Sequence, residues 1–543
     1  MQDLSYTFLN KHLDLKCCDL ELTAYSFTNA YSIDPACSSI EESEHLVLLK
    51  ASGLLTDGGQ TKVQGSAEVR VQEQNGAFTV SSRFTVKDCL EEFRSVKLTV
   101  RGFPCGKILG LNDARPRMIP EEGLILNYPE GWRDLGTPLT VLTQSEGNVL
   151  YFRSLDDTVR RKIFAFNRRG DSLIAELVFE ELAEKMGSTI QSPEWEFSFA
   201  ASAEEIYARH EDHVTKAYAL PTWEDRKDVP KWAREISLIA AIHGQHWTGY
   251  IFNDYAGMLE NIKRLSDKIE PKRILAYLPG WEGRYYWKYG AYGPDERMGG
   301  AEGLHRLAEE SRKIGVHLCP MYGINVAGIH VDGFMEWGDV SEARSASGNI
   351  RRGSVDWDAS RHYDHGSGRT LNPGAPKWQN RLVRQIVALS KEYGFDAAFL
   401  DIAAYWENDP NHAVYDGVVK LAARLHCELD DFLIAGEAWY DALGAAIPLL
   451  QCGHTDGRLN WHDEAYPPRI ENHVREFGHL CLGDPAEKST GVHELGRNPI
   501  WRCPLRKSVI PTLTITDGTL LKAEKEVDLV ISDAKEYADR FLK

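Results

Sequence analysis

The stretch from 393 to 440 constrains this chain more than any other. Two short apolar runs, Asp396–Leu400 and Phe432–Ala435, are each closed by a carboxylate, Asp401 and Glu437. Between them Val414, Val418, Leu421, Ala422 and Leu425 recur at three- and four-residue intervals, the spacing of one helix face. Strand, helix, strand is the unit of a parallel sheet. A buried strand that ends in an acid sets that acid at the carboxyl edge of the sheet, where α/β folds place their sites. Two successive strands ending this way predict one site built from both.

The same rhythm holds from Trp232 onward. Ile236–Ile242, RILAYLP and VHLCPMYGIN are apolar runs, separated by the helix-spaced segments YAGMLENIKRLSDKI and GAEGLHRLAEESRKIG. After a long loop between Val326 and Pro373, PKWQNRLVRQIVALSKEYG leads into the run ending at Asp401. GRLNWHD, GHLCLGD and SVIPTLTI are expected as strands six, seven and eight, closed by EVDLVISDAKEYADRFLK. The expected architecture over 231–543 is a (β/α)8 TIM barrel. Residues 1–220 read differently. Short, partly alternating segments rich in Val, Phe and Thr are divided by turns such as DGG, QNG and RRGD, which predicts an antiparallel β-sandwich. It passes into a helix capped at Ser202, with Glu205 three residues on. The fold class is therefore multi-domain, a sandwich followed by a barrel. A chain of 543 residues exceeds what one core usually serves.

Charge narrows the partners. A net charge of −18 provides no basic face for nucleic acid or an anionic membrane, and suits a neutral substrate. No run approaches the roughly 20 apolar residues of a membrane span. The start has no cationic region followed by an apolar run, so a cytoplasmic location is expected. The ten cysteines form no C-x-x-C pair and are expected as reduced thiols. No phosphate-binding glycine motif is present, so no nucleotide cofactor is expected. The acids and histidines of DWDASRHYDH, Asp356 to His365, read as a polar loop rather than a metal site, and a structural Ca²⁺ has no readable loop. The oligomeric state is not readable.

Neighbouring strands lie about 4.8 Å apart, so acids at their ends can face one another. Carboxyl groups about 5–5.5 Å apart suit a nucleophile and an acid/base that retain anomeric configuration, whereas inverting pairs stand about 6.5–9.5 Å apart. Aromatic residues crowd the predicted strand ends: Trp247 after the first, Trp281 after the second, Tyr322 after the third, Trp406 after Asp401 and Trp439 after Glu437. Aromatic faces stack on the C–H faces of sugar rings, so these residues, with Glu282 and Asn325, are expected to bind a carbohydrate. Glu282 has an alternative partner in Arg284. His462 and Asp463, with Glu464 beside them, are candidates for orienting the substrate or supplying a third carboxylate. A salt-bridged loop is the structural alternative. Asp484 and Asp517, before Pro and Gly, carry turn chemistry as well.

GFDAAFLD, with Asp401, resembles the fourth-strand nucleophile motif of the α-amylase-like clan of retaining α-glycosidases, and IAGEAW, with Glu437, resembles its fifth-strand acid/base motif. The nearer likeness is to the branch of α-N-acetylgalactosaminidases and endo-α-N-acetylgalactosaminidases, which similarly place a galactose-mutarotase-like β-sandwich before the barrel. The resemblance implies Asp401 as nucleophile, Glu437 as acid/base, a glycoconjugate or oligosaccharide substrate and no organic cofactor. The chain departs from the clan at Phe399, where an arginine is usual, and at Asn325, where an Asn-His pair is usual. A seventh-strand Asp motif is not evident. Two alternatives stay open. An α-galactosidase-like barrel would take its acid/base from Asp463 or Asp484, and a non-catalytic carbohydrate-binding protein would use the aromatics alone.

Overall fold

The computed structural model describes residues 18–87, 91–109, 117–130, 134–144, 147–246, 249–283, 288–351, 368–452, 472–478, 505–516 and 518–542. The chain divides into two compact units between Ala219 and Leu220, with Asn408–Pro410 grouped with the first.

The first unit is a large antiparallel sheet. Its strands alternate as period-two sequence requires: Asp19–Ser26, Lys162–Arg169 and Ser172–Glu180 bury every second side chain. The hairpin joining Thr61–Gln74 to Ala77–Val86 turns on Asn75 and Gly76, both at positive φ, the pairing that a two-residue turn favours. The strand path folds back on itself around aromatic side chains. Phe166 meets Phe152 at 5.9 Å between ring centroids and Phe164 meets Trp195 at 5.5 Å, although these strands lie far apart in the sheet order. Helix α1 (Ala203–Ala217) follows. The Ser202 side chain accepts from the Glu205 amide at 3.3 Å, and Ile206 and Tyr207 pack on Leu139, Val141, Val149 and Tyr151.

The second unit is a parallel sheet of nine strands: β1 (Leu238–Ile242), β2 (Ile274–Leu278), β3 (His317–Gly323), β4 (Ala397–Asp401), β5 (Leu433–Glu437), β6 (Leu449–Cys452), β7 (Arg475–Gly478), β8 (Val509–Ile510) and β9 (Thr512–Ile515). Here alternation gives way to continuous apolar runs, because both faces are covered; β1, β2 and β4 are buried at every residue. β8 pairs with β7 and β9 pairs with β1, and only Pro511 separates them in the chain, so the sheet forms a nearly closed barrel. Its interior is filled by rings: Tyr277 lies 4.4 Å from Phe399, and Phe477 lies 6.0 Å from both. Amphipathic helices α2 (Tyr255–Ser266), α3 (Gly300–Ile314), α4 (Pro376–Tyr393) and α5 (Val414–Glu428) connect strands. Left-handed glycines, Gly315 and Gly394, end α3 and α4. No helix among the described residues is long and apolar enough to cross a membrane.

The second half of this sheet departs from the sequence expectation. Strand six is Leu449–Cys452 rather than GRLNWHD, which lies outside the described residues. Strand seven is Arg475–Gly478, ending on the first residue of the expected GHLCLGD, whose other residues lie outside the described ones. Between strands five and six the described residues carry a short 3-10 turn, Asp441–Ala445, where a regular (β/α)8 barrel has a helix. The strand–helix alternation used to place later strands therefore breaks there.

Candidate active site

The β4–β5 register pairs Leu400 with Gly436, which sets Asp401 and Glu437 side by side at the carboxyl edge. Each acid is followed by a residue in the left-handed region, Ile402 at φ 55° and Ala438 at φ 59°. For a β-branched residue that conformation costs about 1–2 kcal/mol, so the surroundings must impose it. Here it turns the Ile402 amide onto Glu437, donating to Oε2 at 3.0 Å. The Ala438 amide likewise donates to the carbonyl of Gln451, at 2.7 Å. The two strand ends are thus bent by the same local device, and one of these bends holds an acid.

Asp401 is buried, and the Tyr289 hydroxyl donates to its Oδ2 at 2.9 Å. Burial drives the Asp401 carboxyl well above the usual carboxylate range. The neighbouring Glu437 charge and a hydrogen bond between the two side chains act the same way, while Tyr289 opposes them. Two carboxyls this close titrate as a pair, and the pair resists losing both protons.

Other strand ends complete the rim. After β1 stands His243, buried and kept neutral, its pKa pushed down to about 3 by burial. After β2 stands Glu282, fully buried, its carboxyl pushed up to about 8 by burial, and neither oxygen meets a side-chain donor among the described residues. The expected alternative partner, Arg284, lies outside the described residues. Lys288, the next cation along, pairs with Asp295 at 2.9 Å. Asn325 follows β3, buried, with its Oδ1 unpartnered among the described residues.

The aromatic lining needs correcting. Trp281 and Tyr322 are 0% exposed and present no open face for a sugar. Trp281 donates from its indole to the Met321 carbonyl at 3.0 Å and meets Tyr322 and Phe395 edge-on. Phe395 stacks on Tyr393 of α4, which lies 4.4 Å from His305 of α3. These rings fill the layer between sheet and helices, where a large apolar side chain gains most from burial. Trp439 is also buried, and Trp406 is half-buried in the loop after β4. Trp247, His462, Asp463 and Asp484 lie outside the described residues.

Sequence reasoning missed Tyr289 and Gly323. Tyr289 ends the aromatic run RYYWKY, and nothing in its spacing distinguishes it from its neighbours. Gly323 is paired with Asp401 across β3 and β4, and a Cβ there would collide with the Tyr289 ring.

No protein-family profile and no curated protein matches this sequence. Solved structures do match in fold. An α-N-acetylgalactosaminidase of Bifidobacterium bifidum, NagBb, in complex with GalNAc, superposes with a TM-score of 0.66 at 12% identity, over 96% of this chain and 89% of that one. Its ligand-free form gives 0.61 over 95% and 93%. The GH36 α-galactosidase AgaA of Geobacillus stearothermophilus gives 0.53 at 12% identity, over 95% of this chain and 75% of that one. The chain therefore shares the multi-domain fold of these glycoside hydrolases: a large antiparallel sheet and a nearly closed parallel barrel.

Proposed function

We propose that the protein is a retaining α-glycosidase that works by double displacement. The observation that carries the reading is the pair Asp401, buried, and Glu437, half-buried, side by side on adjacent strand ends and joined by a hydrogen bond. In the first step a carboxylate oxygen of Asp401 bonds to the anomeric carbon as the glycosidic C–O bond breaks, and Glu437 gives its proton to the departing oxygen. Substrate binding localises the retained proton on Glu437, because the glycosidic oxygen accepts a hydrogen bond there. In the second step Glu437 takes a proton from water, whose oxygen displaces Asp401 from the anomeric carbon. The ester removes the Asp401 charge, which makes Glu437 the stronger acid and suits it to act as base in this step.

The likeness to NagBb in complex with GalNAc supports an α-linked N-acetylgalactosaminide as the first substrate to try, and AgaA supports an α-galactoside as the second. In this reading residues 1–220 form a galactose-mutarotase-like sandwich and residues 231–543 a (β/α)8 barrel, β8 and β9 counting as one strand interrupted at Pro511.

The test is a panel of aryl α- and β-glycosides with the first-formed anomer followed by proton NMR. Release of the α-anomer, lost by at least about 10⁴-fold in Asp401→Asn, is expected. Glu437→Gln should lose about 10²–10⁴-fold on poor leaving groups and recover on nitrophenyl glycosides. An unaffected Glu437→Gln would move the acid/base to Asp463 or Asp484. Saccharide binding with no hydrolysis of any aryl glycoside would sink the enzyme reading.

A further inference from the structure

Three features converge on one oxygen of Asp401. Tyr289 comes from the loop after β2, far from Asp401 in the chain, yet its hydroxyl stands 2.9 Å from Oδ2. Its ring is seated over Gly323, the residue paired with Asp401 on β3, and any side chain there would expel it. Its own backbone is fixed as well, since the Tyr289 carbonyl accepts from the Gly328 amide at 2.9 Å and its ring packs on Tyr292 at 5.7 Å. Tyr292 in turn is pinned to Gly323 twice, donating to its carbonyl at 3.2 Å and accepting from its amide at 2.7 Å. A tyrosine bound this tightly is pre-organised and pays little entropy for its hydrogen bond.

Resting on the glycosidase reading above, we propose that Tyr289 is a positioning residue for Asp401. It holds Oδ2 in place, so that the other oxygen is the one presented to the anomeric carbon, and Gly323 is the slot that admits it. Among the described residues the groups facing Asp401 are Glu437 on β5, Glu282 after β2, and Tyr289 and Tyr292 from the following loop. Both acids disfavour a charged Asp401, and among the described residues that weigh most on its ionisation Tyr289 favours charge. Removing a donor to a carboxylate raises its pKa. Loss of Tyr289 should therefore carry the acidic limb of kcat/KM to higher pH, since that limb reports ionisation in the free enzyme.

The experiment compares wild type, Asp401→Asn, Tyr289→Phe and Gly323→Ala on whichever aryl α-glycoside the wild type hydrolyses, across the full pH profile. Tyr289→Phe should lower kcat/KM by about 10²-fold at neutral pH, mostly in kcat, with the acidic limb displaced upward. Gly323→Ala, which deletes no polar group but displaces the Tyr289 ring, should reproduce that displacement. Near-UV circular dichroism confirms that each variant is folded, and Tyr289→Phe alone decides if Gly323→Ala is not. An unmoved acidic limb in folded Tyr289→Phe overturns the proposal, even if the rate falls, because uniform loss is what a merely structural role gives. Asp401→Asn turning over like wild type would instead overturn the underlying reading, and the proposal with it.

Discussion

At the residue scale, Glu282 shows how burial leaves a measurable mark. Its burial outweighs the opposing pull of its own backbone amide and of the Lys288 charge, so the carboxyl resists ionisation. In the folded protein it keeps its proton up to about pH 8, whereas unfolded it releases it near the ordinary value of 4.5. Between those values the folded state binds more protons than the unfolded one, so stability falls as pH rises and levels off above about 8. At roughly 1.4 kcal/mol per unit the total reaches a few kcal/mol. Glu282→Gln cannot ionise. Thermal melts should show its midpoint gaining on wild type as pH is raised from about 5 to about 8, and parallel curves would refute the assignment. The left-handed Ile402 belongs to the same scale. No pattern in the sequence marks it, because the strain comes from its neighbours.

At the scale of elements, α5 carries a contest between propensity and packing. Gly417 lies in its first turns, where alanine would favour the helix by about 1 kcal/mol. A Cβ there would collide with the backbone of Gly374 and Pro373, and backbone atoms cannot swing aside as a side-chain tip can. Overpacking of this kind costs about 1–3 kcal/mol, and the clash with rigid atoms belongs at the upper end. Gly417→Ala is therefore expected to lower the melting midpoint despite its better helix propensity; a midpoint above wild type would show that the loop yields. The elements themselves were largely legible. Continuous apolar runs gave β1 to β5, three- and four-residue spacing gave α2 to α5, and Asn-Gly gave the hairpin turn at 75–76. Strand six escaped because a 3-10 turn stands where a regular (β/α)8 barrel has a helix.

For the whole molecule, charge is the property that acts at a distance. A net charge of −18 repels anionic ligands across the solvent, and between about 0.01 M and about 0.15 M ionic strength the screening length falls from about 30 Å to about 8 Å. The kcat/KM for an aryl α-glycoside carrying a carboxylate should rise several-fold over that range, while that for the neutral glycoside stays flat. Equal responses would place the negative charge away from the approach to the site. Closure of the barrel is also a property at this scale, since β1 meets β9 more than 250 residues later in the chain.

The sequence alone determined what depends on local spacing: which faces are apolar, where helices and strands alternate, and that two successive strands end in acids. Those signals survive because hydrophobic periodicity is a property of consecutive residues. Only the tertiary structure decided what each polar or aromatic group meets. Trp281 and Tyr322 look like sugar platforms in the chain, yet they fill the layer between sheet and helices. Tyr289 looks like one aromatic among several, yet it reaches Asp401 because Gly323, on another strand, leaves room. Such contacts join residues tens to hundreds of positions apart, and their energies depend on distance and burial, which the order of residues does not encode.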